Sequence, residues 1–145
     1  MPVKRAEKTP MPDRDPSLRA RDFEEVNEGY CFSHAMFEAE RCLRCQDPVC
    51  VDGCPVRVPI ADFMHAVAAN DIAKAAEILR QANPLAAICG RVCPQEAQCE
   101  KNCHMTTRFG PVAIGHLERY VSDWEMSQPA SDEVKKPWRE EKVAI

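Results

Sequence analysis

The stretches CLRCQDPVCVDGCP, residues 42–55, and CGRVCPQEAQCEKNC, residues 89–103, hold eight of the nine cysteines of this chain. Thiols clustered at such short spacings are typical of metal centres, because several thiolates must converge on one inorganic group. We therefore interpret the two runs as ligand-bearing loops and expect the fold to be organised around them.

The first run resembles the bacterial ferredoxin pattern. In that pattern three cysteines bind one iron–sulfur cluster, and a fourth cysteine followed by proline binds a second cluster. The same logic predicts two [4Fe–4S] clusters in this chain, with ligands exchanged between the two runs. Such a chain would carry electrons.

Structural zinc and disulfides are the two alternative interpretations. Zinc also binds four thiolates, but zinc sites usually pair one CxxC with a second CxxC or with HxxxH, whereas the second run has spacings of three, five and three. Disulfides need an oxidising compartment, and the charged residues 1–8 contain no apolar stretch typical of a signal peptide. The spacing therefore favours iron–sulfur over both.

Length and charge limit the class of protein. At 145 residues the chain is long enough for one domain with a core of its own. A net charge of −4 argues against nucleic acid as a partner, and no apolar stretch approaches the length of a membrane span. We expect a soluble, cytoplasmic protein with reduced thiols and no membrane partner. The sequence shows no Ser–His–Asp set and no phosphate-binding glycine loop, so we predict no catalytic residue.

Helical patterns fill the sequence before the first run. Asp15 and Pro16 are residue types typical of an N-cap and a first helical position. The helical spacing of Phe23, Val26 and Tyr30 extends that helix over the following turns. A second helix is predicted to start at Ser33 and to lead into the first cysteine run at Cys42. The face of this helix that we expect to be buried is formed by Ala35, Met36, Ala39 and Leu43.

The remaining helices are predicted between and after the cysteine runs. Two short helices follow Pro59, and the second of them is capped by Asn70 and ends at Asn83-Pro84. Gly110-Pro111 opens a longer helix over about residues 111–126. The predicted fold is all-α, an α-helical ferredoxin-like domain with two cysteine-rich loops. The apolar faces of these three helices are Ile60, Phe63, Met64 and Val67, then Ile72, Ala75, Ala76 and Leu79, then Ile114, Leu117, Val121 and Trp124.

Composition divides the chain into three parts. Residues 1–14 are rich in proline and charge and are predicted to form a flexible arm. Residues 15–127 form the helical double iron–sulfur domain. Residues 128–145 read as a linker and the start of a further domain, because Lys142-Val143-Ala144-Ile145 has the pattern of a buried strand that needs partners.

Longer motifs identify a family. The sequence resembles the N-terminal iron–sulfur domain of the NADPH-dependent glutamate synthase small subunit (beta chain) from about residue 15 to the end. Its relatives include the large subunit of NADH-dependent reduced ferredoxin:NADP oxidoreductase and the N-terminal domain of dihydropyrimidine dehydrogenase. The resemblance is carried by the segments at residues 21–26, 38–45, 53–56, 83–85, 88–96 and 110–119.

The resemblance implies two ligand sets. One [4Fe–4S] cluster would be bound by Cys42, Cys45, Cys50 and Cys103. The other would be bound by Cys54, Cys93, Cys99 and a non-cysteine ligand on the following helix, which corresponds to Glu118. Cys89 matches a family cysteine that is not a ligand.

The residues themselves leave the role of Glu118 open. It flanks the apolar stripe of its helix, so a solvated glutamate, or one paired with Arg119 or another neighbour, is the alternative to a cluster ligand. Carboxylate is also a hard ligand for a soft cluster. Cys31 lies outside both runs and is expected to be a packed or surface thiol.

The resemblance also implies partners. Relatives continue into FAD- and NADPH-binding domains, and those cofactors are expected only on a C-terminal part that this chain does not contain. The expected partners are that FAD/NADPH domain and either a subunit containing FMN and iron–sulfur centres or a ferredoxin-type protein. A stand-alone ferredoxin-like carrier is the alternative function, alongside a zinc-stabilised interaction domain.

Overall fold

The computed structural model describes residues 7–129, and in that part of the chain the fold is all-α. No β-strand is present among these residues, and the one extended pairing is an isolated antiparallel bridge between Asp13 and Asn27. The predicted fold class is therefore confirmed. The helices are α1 (Pro16–Arg19), α2 (Phe32–Glu40), α3 (Val49–Asp52), α4 (Ile60–Ala68), α5 (Ile72–Ala82), α6 (Ala86–Val92), α7 (Thr106–Phe109) and α8 (Ile114–Ser127), with a 3₁₀ turn at Gln95–Ala97.

Helix α8 is the axis of the domain. It packs most extensively along α6 and also contacts α5, α2 and α4, while α4 packs between α5 and α2. The largest apolar side chains that this arrangement fully buries are Phe63, Met64, Leu79 and Leu117. None of the helices in residues 7–129 is long and apolar enough to cross a membrane.

The predicted faces of α4, α5 and α8 are the faces that form the core. Every position of the α4 and α5 stripes is buried, as are Ile114, Leu117 and Val121 of α8, and Trp124 packs partly buried against them. A 3.6-residue apolar period predicts these helices well, because each one buries a single face against its neighbours.

Helix α1 is much shorter than predicted. Asp15 is its N-cap and accepts a hydrogen bond from the backbone N–H of Ser17, but the helix ends at Arg19. Asp22 then binds the Arg14 guanidinium with both carboxylate oxygens and accepts from the N–H of Glu24. This local side-chain turn competes with the helix, so the prediction of a helix reaching Tyr30 was wrong.

Two predicted caps are displaced by one or two residues. Helix α2 begins at Phe32 with Cys31 in the capping position, so Ser33 lies inside the helix. Helix α5 is capped by Asp71, whose Oδ1 accepts from the N–H of Lys74 at 3.0 Å. Asn70 instead adopts a left-handed conformation with φ +60° just before it. At α5 two adjacent residues of the capping type, Asn70 and Asp71, were available, and Asp71 makes the bond. At α2 no side chain caps the helix.

Two further expectations differ from the structure near the cysteine runs. Leu43 was predicted on the inner stripe of α2 but is about half exposed, because the helix ends at Glu40 and its period does not continue. The apolar stretch at residues 85–92 forms helix α6, for which no helix was predicted.

The segment before α1 packs on the domain where it is described. Thr9 is buried, its backbone N–H donates to Glu38, and its carbonyl accepts from the Tyr30 hydroxyl. Residues 1–6 of the predicted arm and the strand predicted at Lys142–Ile145 lie outside the described residues.

A buried ion pair joins α2 to the segment that leads into α8. Arg41 and Glu38 are both fully buried and paired with each other. Arg41 also donates to the carbonyls of Phe109, Gly110 and Pro111, at 2.8, 2.9 and 3.1 Å. Because Cys42 follows Arg41 directly, this pair fixes where the first cysteine run begins.

Glu38, the other member of the buried pair, is also hydrogen-bonded to backbone N–H groups. Its Oε1 accepts from the N–H of Ala113 at 2.8 Å, and its Oε2 accepts from the N–H of Thr9 at 2.8 Å. A buried charge is tolerated only when it is paired and hydrogen-bonded, and both charges here satisfy that condition. The pair therefore connects three separate segments at one point.

We expect Arg41→Ala to destabilise the fold by about 3–5 kcal/mol, because it leaves the Glu38 carboxylate buried without its countercharge. Chemical denaturation compared with wild type measures the change. The matched control is Arg80→Ala, which removes an exposed arginine paired with Glu125 and should cost less than about 1 kcal/mol. Equal losses in the two variants would contradict the role assigned to Arg41.

Candidate metal centres

Four cysteines from both runs line one pocket. Cys42, Cys45, Cys50 and Cys103 all contribute to its wall. Cys42 follows the end of α2, Cys50 lies in the short helix α3, and Cys103 is the last cysteine of the second run. Apolar side chains form most of the remaining wall, and they are Leu43, Pro48, Val49, Ala61, Met105 and Val112, with Asn102 and His104 at its polar side.

The thiols of this pocket interact with one another electrostatically. Burial, followed by the charges of Cys103, Cys42 and Cys45, raises the pKa of Cys50 to about 11. Burial also raises the pKa of Cys42, followed by the charges of Cys103 and Cys45. Four thiolates so close together are unfavourable without a positive charge between them, because like charges in a desolvated site repel strongly. A cationic iron–sulfur core would supply that charge.

The second run and the end of the first run form a separate group. Burial, followed by the charges of Glu100, Cys54 and Glu118, raises the pKa of Cys99 to about 12. Burial, followed by the effects of Cys89, Glu118 and Cys54, raises the pKa of Cys93 to about 11. Cys54 therefore lies near Cys93 and Cys99, and it does not line the pocket formed by the other thiols of its own run.

Glu118 belongs to this second group. It lies on α8 with only 8% of its surface exposed, and Asn83 Nδ2 donates to its Oε1 at 2.9 Å. Burial raises the pKa of its carboxyl group, the Asn83 hydrogen bond lowers it, and the net value is about 7. The alternative of a solvated glutamate is wrong because Glu118 is buried, and Arg119 pairs instead with Glu25 and Asp123 at 3.2 and 3.3 Å. A glutamate paired with another neighbour and a cluster ligand both stay predictions.

The donor chemistry of the two groups fits iron–sulfur clusters. The first group offers four thiols in a mostly apolar pocket, and the second offers the thiols of Cys54, Cys93 and Cys99 and a buried carboxyl group, with the Cys89 thiol beside them. Within residues 7–129, no three His, Cys, Asp or Glu side chains are placed to bind a single metal ion. An iron–sulfur cluster is larger than a single metal ion, so the side-chain atoms that bind it lie further apart than those that bind one ion.

Two glycines allow the two runs to approach each other. A Cβ on Gly53 would lie 2.6 Å from the side-chain nitrogen of Asn102 and 2.7 Å from the carbonyl oxygen of Gln98. Because Gly53 precedes Cys54 and Gln98 precedes Cys99, this close backbone contact holds the two cysteines in one group. Only a residue without a side chain fits there.

Gly90 has the same effect between α6 and α8. A Cβ at this position would lie 2.7 Å from the backbone nitrogen of Arg119. Gly90 follows Cys89, and Arg119 follows Glu118, so the contact brings the start of the second run against the glutamate of α8.

The remaining candidates have other surroundings. The Cys89 thiol is hydrogen-bonded to Cys93, so it lies beside the second group. Cys31 is exposed at the start of α2, and its sulfur lies 3.1 Å from the Ser33 hydroxyl. Sequence reasoning missed Asn83 as a partner of Glu118, because a contact across 35 positions leaves no local signal.

Comparisons with known proteins identify the same domain. Residues 19–130 match the family described as dihydropyrimidine dehydrogenase domain II, 4Fe-4S cluster. The small chain of glutamate synthase [NADPH] from Halomonas elongata is 38% identical over 136 residues, which is 92% of this chain and 29% of that protein. The small chain from Escherichia coli is 38% identical over 77% of this chain.

A relative with another name matches the same region. The subunit PreT of NAD-dependent dihydropyrimidine dehydrogenase from Escherichia coli is 35% identical over 102 residues, covering 70% of this chain and 25% of that protein. The present chain thus spans between 24% and 29% of the length of these three relatives.

We expect Gly90→Ala to destabilise the protein by roughly 1–3 kcal/mol, because the added methyl group meets the backbone of α8 and forces α6 away. Iron content should fall with it if the second group binds a cluster. Gly115→Ala is the matched control, since its Cβ meets only the movable end of the Gln95 side chain. Chemical denaturation and iron analysis of the two variants measure the difference. An unchanged Gly90→Ala protein would show that the contact does not matter.

Proposed function

Because this chain belongs to the dihydropyrimidine dehydrogenase domain II family of 4Fe-4S cluster domains, we propose that it is an electron-transfer module that binds two [4Fe–4S] clusters. The main observation in support of this proposal is that the cysteines of the two runs separate into two groups. Each group draws residues from both runs, as expected when two clusters share ligands across two loops.

The proposed ligands follow that separation. Cys42, Cys45, Cys50 and Cys103 bind the first cluster, and the pocket they line supports this set. The second cluster is bound by Cys54, Cys93, Cys99 and Glu118, and this set is supported because the charges of Cys54 and Glu118 act on both Cys93 and Cys99.

In this proposal the protein provides the ligands and the surroundings of the clusters, and its residues take no part in acid–base chemistry. Iron–sulfur clusters accept and release single electrons at potentials set by charge, hydrogen bonding and solvent exposure. The apolar wall of the first pocket limits the access of water. The carboxylate of Glu118 adds a negative charge to the second site, which distinguishes the two sites electrostatically.

We extend the proposal to the full-length protein through its relatives. Two of them are small chains of NADPH-dependent glutamate synthase, and this chain covers about a quarter of their length. We propose that NADPH and FAD are bound by further domains of the same protein. This domain would relay electrons to a partner subunit containing FMN and iron–sulfur centres, or to a ferredoxin-type protein.

Protein purified without oxygen should contain about eight iron atoms and eight sulfides per chain, from two clusters of four. We expect Cys50→Ser and Cys99→Ser each to lose about half of this iron, because each removes a ligand of one site. Iron, sulfide and zinc analysis together with the visible spectrum measures the outcome.

The matched control for these variants is Cys31→Ser, which removes an exposed thiol outside both groups and should retain all of the iron. Colourless wild-type protein containing zinc would contradict the proposal and favour a zinc-stabilised interaction domain. Full iron content in either ligand variant would contradict the assignment of that cysteine.

We expect Glu118→Gln to raise the midpoint potential of the second cluster, because the amide removes a negative charge that disfavours the reduced state. The shift should be several tens of millivolts, on the order of 1 kcal/mol for one electron. A redox titration measures it, with Glu125→Gln on the same helix as the control. A potential that stays constant in Glu118→Gln would count against ligation by Glu118.

A further inference from the structure

We infer that Asn83 is a positioning residue for the second cluster site, which holds the Glu118 carboxylate in its ligand orientation and withdraws part of its charge. This inference rests on the proposed function, because it takes Glu118 as a cluster ligand. Asn83 lies outside both cysteine runs, at the junction between α5 and α6.

The contact is buried and specific. Asn83 is 5% exposed and Glu118 is 8% exposed, and their side chains are joined by the 2.9 Å hydrogen bond from Nδ2 to Oε1. This bond engages Oε1 and does not involve Oε2. One oxygen is therefore held by Asn83, and the proposal assigns the other, Oε2, to the cluster.

The other end of the Asn83 side chain is fixed as well. Its Oδ1 accepts from the backbone N–H of Leu85 at 3.1 Å, in a turn that precedes α6. This bond determines the direction of the amide, because the oxygen faces Leu85 and only the nitrogen can donate to Glu118. A side chain fixed at both ends gives Glu118 one orientation, and partners of this kind commonly orient metal ligands.

The surrounding helices make this position rigid. Asn83 is the C-cap of α5, with its backbone N–H bonded to the carbonyl of Leu79 at 2.7 Å. Glu118 lies on α8, which packs against both α5 and α6. The hydrogen bond therefore connects the junction of two helices to a third helix at the point where α8 approaches the second group of cysteines.

The hydrogen bond also has an electrostatic consequence. A donor on the carboxylate draws negative charge away from the oxygen that faces the cluster site, and so favours the reduced state of a bound cluster. Removing the donor should lower the midpoint potential of the second cluster. This change has the opposite sign to the one expected for Glu118→Gln.

The experiment compares two substitutions of Asn83 in the complete, cluster-loaded protein. Asn83→Ser keeps a neutral oxygen that can accept from the Leu85 N–H but is too short to reach Glu118. Asn83→Ala removes both contacts. Redox titration and electron paramagnetic resonance of the reduced protein provide the readouts, and the second cluster is identified as the one that responds to Glu118→Gln.

We expect both Asn83 variants to shift the midpoint of the second cluster to lower potential and to change its resonance signal, while the first cluster stays as in wild type. In the Glu118→Gln background the effect of Asn83→Ser should shrink, because the acceptor is then neutral. Loss of the second cluster alone in Asn83→Ser would also support the inference.

Three outcomes would overturn the role inferred for Asn83. The first is an unchanged second-cluster signal in both variants. The second is a shift in Asn83→Ala with none in Asn83→Ser, and the third is loss of both clusters in Asn83→Ser.

The helix-cap control is Asp71→Ala, which removes a comparable capping bond at the start of α5 and should leave both midpoint potentials unchanged. Wild-type protein without iron and sulfide would overturn the proposed function itself, whereas a normal wild type with unresponsive Asn83 variants would overturn this inference alone.

Discussion

The buried pair of Arg41 and Glu38 is the interaction on which the rest of this structure depends. Two opposite charges without solvent access are stable only with a complete set of hydrogen bonds. Here that set comes from three distant segments: residues 7–14, the end of α2 and residues 109–113. A single electrostatic requirement thus determines where the first cysteine run begins and where α8 starts.

The two cysteine groups result from this framework. The ends of the two runs are brought together because Gly53 contacts the backbone at Gln98, and α6 is brought onto α8 because Gly90 contacts Arg119. Glu118 is then carried to the second group by the long helix. Most of the core residues lie on the helices, whereas most of the proposed ligands lie in the two cysteine runs.

The two proposed sites differ in a way that is relevant to electron transfer. The first is lined mostly by apolar side chains and thiols, with Asn102 and His104 as its polar members. The second contains the Glu118 carboxyl group, whose hydrogen-bond partner Asn83 is itself fixed by Leu85. Charge and hydrogen bonding around a cluster set its potential, so one domain can present two centres of different potential.

The sequence by itself determined the all-α class, the inner faces of α4, α5 and α8, and the family, because apolar periodicity and cysteine spacing are local properties. The sequence predicted the first and last residues of the helices less well. Asp22 ended α1 through a local turn, the capping position of α2 lay two residues before the predicted cap, and Asp71 capped α5 in place of the adjacent Asn70. Only the tertiary structure decided that Glu118 is buried and that Asn83 binds it, and it brings Cys54 near the second run, as the family resemblance implied. Those contacts join residues more than 30 positions apart, and their formation depends on how whole helices pack.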